Sequence, residues 1–319
     1  MILVTGGNGF VGAAVLAAVA ERGQPARAAV RRAPCFPGSH TEYALGLDLA
    51  SDTDWTKALT GIHTLIHTAA RVHVMRDSGP DTIAEYRRTN VDGTLRIARQ
   101  AADSGVRRFV FISSIKVNGE RTTAGRPFHA SDVPAPIDPY GTSKHEAESA
   151  LREVAAETGL EVVVIRPVLV YGPGVKANFA SMMQWLTRGL PLPLGAIHNT
   201  RSLVALENLV DLILTCVDHP AAAGETFLIS DGEDLSTTEL LRRLSCALGV
   251  SPWLLPVPEA FLKFGARVAG RRDMGRRLFE SLQVDIAHTT HVLGWTPPVS
   301  VDQGLRITAE SFLRRERNR

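Results

Sequence analysis

A chain of 319 residues, 45% apolar and 21% charged, has the composition of a folded globular protein and is long enough to bury a sizeable core in two joined lobes. Its formal net charge is only +2, with basic residues scattered except at Arg271, Arg272, Arg276, Arg277 and over 314–319, so nucleic acid is excluded as the expected partner. Three dispersed cysteines, Cys35, Cys216 and Cys246, are too few for a disulfide framework or a metal cluster and point to a reducing, cytoplasmic setting.

Residues 1–5 form a short Ile/Leu/Val run of the kind shown by a strand buried on both faces, and the glycines of 6–9 break it. The alanine-rich stretch 10–22 favours helix, with Gly23 where a C-terminal cap belongs. Four glycines and an asparagine interrupt these first residues and no basic region precedes them. They therefore read as strand and helix rather than as a signal peptide, and no other segment reads as a membrane span. Strand-like Ala26–Val30, helical 55–60, strand-like Thr64–His67, a long helix over 83–104 and a strand over 108–113 follow. A helix over Pro139–Thr158 and the β-branched run 162–166, closed by Pro167, complete the alternation. Such alternation predicts an α/β fold: a doubly wound, Rossmann-type parallel sheet with helices on both faces. After Tyr171 prolines and glycines become frequent, and a smaller, interleaved C-terminal lobe begins there. The expected division is 1–170 for the dinucleotide-binding domain, with 200–235 returning to its sheet through strands at 203–206 and Thr226–Ile229 around a helix over 207–217. Residues 171–199 and 236–319 form the substrate lobe.

Gly6, Gly9 and Gly12 recur every three residues between the first strand and the first helix, with Phe10 and Val11 opening that helix. A pyrophosphate needs bare backbone N–H groups at a helix N-terminus, and glycine leaves room for it; a purely structural glycine turn is the alternative. At the end of the second strand, where a carboxylate would hold the ribose hydroxyls of NAD, the sequence has Arg31 and Arg32. Guanidinium groups there favour the 2′-phosphate of NADP(H), with NAD(H) possible; two solvated arginines are the bland reading. Asp48, followed by Leu49, is placed to receive the adenine amino group, or is an exposed turn aspartate.

Tyr140 and Lys144 lie one turn apart at the start of the Pro139–Thr158 helix. A phenol with a pKa near ~10 exchanges protons slowly at neutral pH unless a neighbouring cation favours its phenolate, and Lys144 is placed to do that and to hold the nicotinamide ribose. Ser114, at the carboxyl end of the 108–113 strand, faces the same crevice, with Ser113 its local competitor.

The ordered set formed by 5–12, 67–70, 90–94, 109–119, 140–144, Arg166-Pro167, 170–173 and the closing 293–297 resembles the extended short-chain dehydrogenases, which include nucleotide-sugar 4-epimerases, 4,6-dehydratases and 4-keto-sugar reductases. The resemblance implies that Tyr140 is the proton-transferring acid/base, that Lys144 holds the ribose, and that Ser114 positions the sugar oxygen at C4. It places Thr68, Ala69, Ala70, Asn90, Ser113 and Pro167 along the dinucleotide. Asn178 and Arg201 fall on the nucleotide diphosphate, an interdomain ion pair being the alternative for Arg201. It also implies a homodimer through the helices over 83–104 and Pro139–Thr158.

The 4,6-dehydratases carry Thr-Asp-Glu where this chain has Ser114-Ile115-Lys116, which removes the acid and base for eliminating water. Arg31 replaces the acidic residue usual in epimerases with permanently bound NAD. The segments 71–75 and 281–285 resemble the bacterial polysaccharide-biosynthesis branch, and His73 and Met75 line its sugar pocket or are ordinary core and surface residues. The expected activity is reduction of UDP-4-keto-6-deoxy-N-acetylglucosamine to UDP-N-acetylquinovosamine. A UDP-glucose or UDP-N-acetylglucosamine 4-epimerase is the near alternative, and a non-catalytic dinucleotide sensor a remote one.

Overall fold

The computed structural model describes residues 1–33, 41–49, 52–72, 82–123, 125–262 and 278–317. His73, Met75, Cys35 and the arginines at 271, 272, 276 and 277 lie outside the described residues.

Seven parallel strands form the main sheet: β1 (Ile2–Thr5), β2 (Ala26–Val30), β3 (Thr41–Leu45), β4 (Thr64–His67), β5 (Arg108–Ile112), β6 (Glu161–Pro167) and β9 (Thr226–Ile229), in the order β3-β2-β1-β4-β5-β6-β9. Alternate residues of β1 serve opposite faces. Ile2 and Val4 pack with Val15, Val19 and Leu209 of α1 (Phe10–Glu21) and α7 (Leu206–Asp218), whereas Leu3 packs with Leu59, Ile97 and Leu151 of α2 (Thr56–Leu59), α4 (Gly93–Asp103) and α5 (Pro139–Thr158). Both faces are therefore covered, which is why these strands read as continuous apolar runs.

Three features differ from the sequence reading. The helix expected over 83–104 is α3 (Thr82–Tyr86), a π-helical segment (Arg87–Asp92), then α4. The wider turn buries Asn90, whose side chain is bonded on both sides. The strand expected at 203–206 is β8 (Arg201–Ala205), with Leu206 already in α7. It also does not join the main sheet: it pairs with β7 (Leu169–Tyr171) and β10 (Asp234–Leu235), so the 200–235 stretch returns to the main sheet through β9 as a strand and through α7 packed on its face. This small sheet, with α6 (Ala177–Thr187), α8 (Thr237–Leu248) and α10 (Val301–Arg317), encloses a core of its own around Phe179, Leu203, Leu241 and Leu305. A last short helix, α9 (Ala287–Leu293), packs on β9. Among the described residues no helix is long and apolar enough to cross a membrane.

Candidate active site

The strand order reverses at β1, whose neighbours β2 and β4 lead away in opposite directions, and a crevice opens outside the carboxyl ends of strands at such a point. Gly6 sits there at φ +69°, and its carbonyl accepts from the Gly9 N–H at 2.7 Å. A Cβ on Gly12 would overlap that same carbonyl and lie 2.7 Å from Thr68 Oγ1, while one on Gly6 would come 3.0 Å from the Ala69 backbone. The glycine turn and the segment Thr68, Ala69, Ala70 therefore pack backbone against backbone, sewn by Thr68 Oγ1 donating to the Thr5 carbonyl at 2.6 Å. Gly9 caps α1 with no side chain and is exposed, so the helix N-terminus stands open. Phe10 and Val11 lean back on the core. That arrangement fits a dinucleotide pyrophosphate.

Arg31 and Arg32 are exposed just beyond β2, and Asn8 Nδ2 donates to the Arg32 carbonyl at 2.9 Å, holding their turn beside the glycine turn. Asp48 is half-buried, and Leu49 lies under α4 so closely that a Cβ on Gly93 would overlap its carbonyl. Asn90 accepts from the Arg71 N–H at 2.8 Å and donates to Ser143 Oγ at 3.0 Å, joining the end of the β4 loop to α5. His67 bridges Thr5 Oγ1 (2.9 Å) and Thr94 Oγ1 (3.1 Å); burial, then the Lys144 charge, hold its pKa down at about 3, so it is a neutral structural strut.

Ser114 lies two residues beyond the end of β5 and caps a 3-10 turn (Ile115–Val117) through its Oγ. Gly141 is packed so tightly on the Lys116 carbonyl that a Cβ would lie 2.8 Å from it, which seats the first turn of α5, with Tyr140, on the segment that follows Ser114. Lys144 Nζ donates to the Ile112 carbonyl at 2.8 Å and lies 4.4 Å from the Phe111 ring centre, so its ammonium is delivered to the end of the same strand. Burial brings Lys144 down to about 7 against the opposing pull of Glu148. Burial, then Asp138 and Tyr86, push the Tyr140 phenol above its ordinary range, which keeps it protonated and ready to give a proton. Tyr140, Lys144 and Ser114 thus share one end of the sheet.

Ser113 does not compete: its Oγ donates to Glu148 Oε1 at 2.6 Å and is buried. Glu148 is fully buried and forked by Arg166, Nε to Oε1 at 2.9 Å and Nη2 to Oε2 at 2.6 Å, and Arg166 reaches on to Asn118 Oδ1. The sequence reasoning missed this network. Its signal was the four-residue step from Lys144 to Glu148 and an arginine inside the otherwise apolar β6. Pro167 ends β6 at the same edge.

In the smaller lobe Asn178 is exposed on the first turn of α6, next to Ala177 at the left-handed φ of +56°, a strained start for a helix. Arg201 is half-buried, and its Nη1 donates to the Glu280 carbonyl at 2.9 Å. The segment 281–285 lies between the two lobes: Ser202 N–H donates to the Leu282 carbonyl, and Phe128 N–H to the Gln283 carbonyl, each at 2.9 Å. It fastens the loop that follows Ser114 to the strand that carries Arg201.

A doubly wound sheet with a glycine turn at its switch point and a serine, tyrosine and lysine at its carboxyl edge has the form of a dinucleotide-dependent enzyme. Residues 2–230 match the NAD dependent epimerase/dehydratase family, and the chain belongs to that family. It is 48% identical over 314 residues to a UDP-glucose 4-epimerase of Vibrio cholerae, spanning 98% of this chain and 95% of that protein. A UDP-glucose 4-epimerase of Thermotoga maritima solved with UDP-glucose superposes with a TM-score of 0.80 at 24% identity, covering 99% of both chains. MoeE5 in complex with UDP-glucose and NAD gives 0.77 at 25% identity, again over 99% of both.

Proposed function

We propose that the protein reduces the 4-keto group of a UDP-linked amino sugar, UDP-4-keto-6-deoxy-N-acetylglucosamine, to give UDP-N-acetylquinovosamine. The observation that carries the reading is the shared seat of Tyr140, Lys144 and Ser114 at the end of β5, beside a glycine turn fit for a dinucleotide. When bound, the reduced dinucleotide supplies the hydride. Tyr140, kept protonated, gives its proton to the C4 oxygen, Ser114 Oγ hydrogen-bonds the same oxygen, and Lys144 steadies the ribose and favours by its charge the phenolate left behind, which takes a proton back from solvent. Asn178 and Arg201 take the diphosphate, and Arg31 and Arg32 at the end of β2 favour NADPH and its exchange at every turnover. Lys116 stands where a dehydratase has its glutamate and is bound instead to Asp138 and Glu120, so water elimination has no base there. We also assign the protein to the cytoplasm as a homodimer formed through α4 and α5; sedimentation at micromolar concentration checks the dimer.

A second reading, a UDP-sugar 4-epimerase, is favoured by the relative from Vibrio cholerae. It uses the same residues, and differs in consuming no cofactor. The test is incubation with the 4-keto sugar plus NADPH or NADH, and separately with UDP-N-acetylglucosamine without reduced cofactor. Loss of NADPH with formation of the reduced sugar supports the proposal. Accumulation of the galacto epimer without added cofactor replaces it with the second reading.

A further inference from the structure

We propose that Lys116 is a positioning residue for the proton donor: by bridging Asp138 and Glu120 it locks the segment carrying Ser114 onto the first turn of the helix carrying Tyr140. The inference rests on the reading of Tyr140 given above. Lys116 Nζ is bonded to Asp138 Oδ2 and lies 3.2 Å from Glu120 Oε1. Asp138 uses its other oxygen to cap α5, accepting from the Gly141 N–H at 2.7 Å. Gly141 in turn rests on the Lys116 carbonyl, with room for no side chain between them. One lysine therefore closes a ring from Ser114 through Lys116 and Asp138 to Tyr140: the Lys116 N–H donates to Ser114 Oγ, the two links made by Asp138 are charge-assisted, and the Gly141–Lys116 link is a close backbone packing contact.

The ring also sets charge. After burial, the Asp138 charge is the next cause that pushes the phenol up. The other groups around Tyr140 are Lys144 on its own helix, Tyr86 from α3 with the Arg71 guanidinium over its ring, and beyond Asp138 the pair Lys116 and Glu120. Removing the lysine charge leaves Asp138 uncompensated and makes the phenol harder to ionise. Removing the aspartate charge does the reverse while an amide oxygen still caps the helix.

The experiment follows kcat and KM for 4-keto-sugar reduction against pH in Lys116→Met, Lys116→Arg, Asp138→Asn and the double variant Lys116→Met/Asp138→Asn. We expect Lys116→Met to lower kcat about 10- to 100-fold through misplacement of the donor, with KM for the dinucleotide within about twofold of the parent. Lys116→Arg recovers most of that loss. The alkaline fall in kcat, which marks ionisation of the donor, should move up by about 0.5 to 1 pH unit in Lys116→Met and down in Asp138→Asn, with the double variant between them. An unchanged kcat in Lys116→Met, or a shift of the same sign in both single variants, overturns the assignment while leaving the oxidoreductase reading intact. An unsubstituted protein that turns over no UDP-sugar, or a Tyr140→Phe variant of normal activity, overturns both together.

Discussion

Glu148 and Asp231 are both buried carboxylates near the junction of the two lobes, and their surroundings are opposite. Glu148 receives a forked guanidinium from Arg166 and a hydroxyl from Ser113, so its charge is matched. Among the described residues Asp231 receives neutral donors: the Ala205 N–H and Asn208 Nδ2 on one oxygen, each at 2.7 Å, and the Tyr171 hydroxyl on the other at 2.7 Å. Burial and the Glu233 charge outweigh those bonds and raise the Asp231 pKa, and burial with Asp231 raises that of Glu207. The first cluster sits behind the reacting centre and fixes geometry there through its matched charges. The second ties β7, α7 and β9 together in the smaller lobe's root and holds an excess of acid, so its contribution depends on protonation.

The largest expected effect breaks the first cluster. Glu148→Gln leaves the Arg166 guanidinium buried without a counter-charge, and should destabilise the fold by about 3 to 5 kcal/mol in denaturant unfolding. An equal loss in Asp231→Asn would erase the contrast. Next comes Tyr140→Phe, expected to lower turnover by at least about 10²-fold with the unfolding midpoint unchanged. The two serines then separate structure from chemistry. Ser113→Ala should cost about 1 to 3 kcal/mol of stability, because Glu148 loses a donor, while keeping most of the activity. Ser114→Ala should keep stability and lose activity, and a reversed pattern would exchange their assignments.

The smallest effect is a pH dependence. A carboxyl whose folded pKa is raised binds its proton more tightly when folded, so stability falls as pH rises from the unfolded carboxylate range through the folded value. Asp231→Asn and Glu207→Gln remove that fall. Each should be within about 1 kcal/mol of the parent at neutral pH and should gain on it as pH rises above the unfolded carboxylate range, in paired unfolding curves. A gain in the acidic direction would show that the cluster is ionised throughout.

Much of the dinucleotide half was legible without coordinates. The apolar run of β1, the three-residue glycine period and the alanine-rich helix are local signals, since strand burial, turn geometry and helix propensity are written in neighbouring residues. The limits expected for α5 agree with the structure, where Asp138 caps it, Pro139 opens it and a left-handed Gly159 closes it, and the step from Tyr140 to Lys144 needed only the helical period. The residues alone named Ser114 but left Ser113 as its competitor, because adjacent residues at a strand end differ only in which face they meet. A buried glutamate thirty-five positions away takes up the Ser113 hydroxyl.

The sequence by itself determined the fold class, the place of the glycine turn and the order of serine, tyrosine and lysine, because each depends on residues close together in the chain. Only the tertiary structure decided that β8 serves a separate sheet, that Asn90 needs a π turn, that Glu148 and Arg166 neutralise one another, and that Lys116 meets Asp138. These are pairings between distant segments. Their energies come from burial and from the partner brought alongside, neither of which any single stretch of sequence contains.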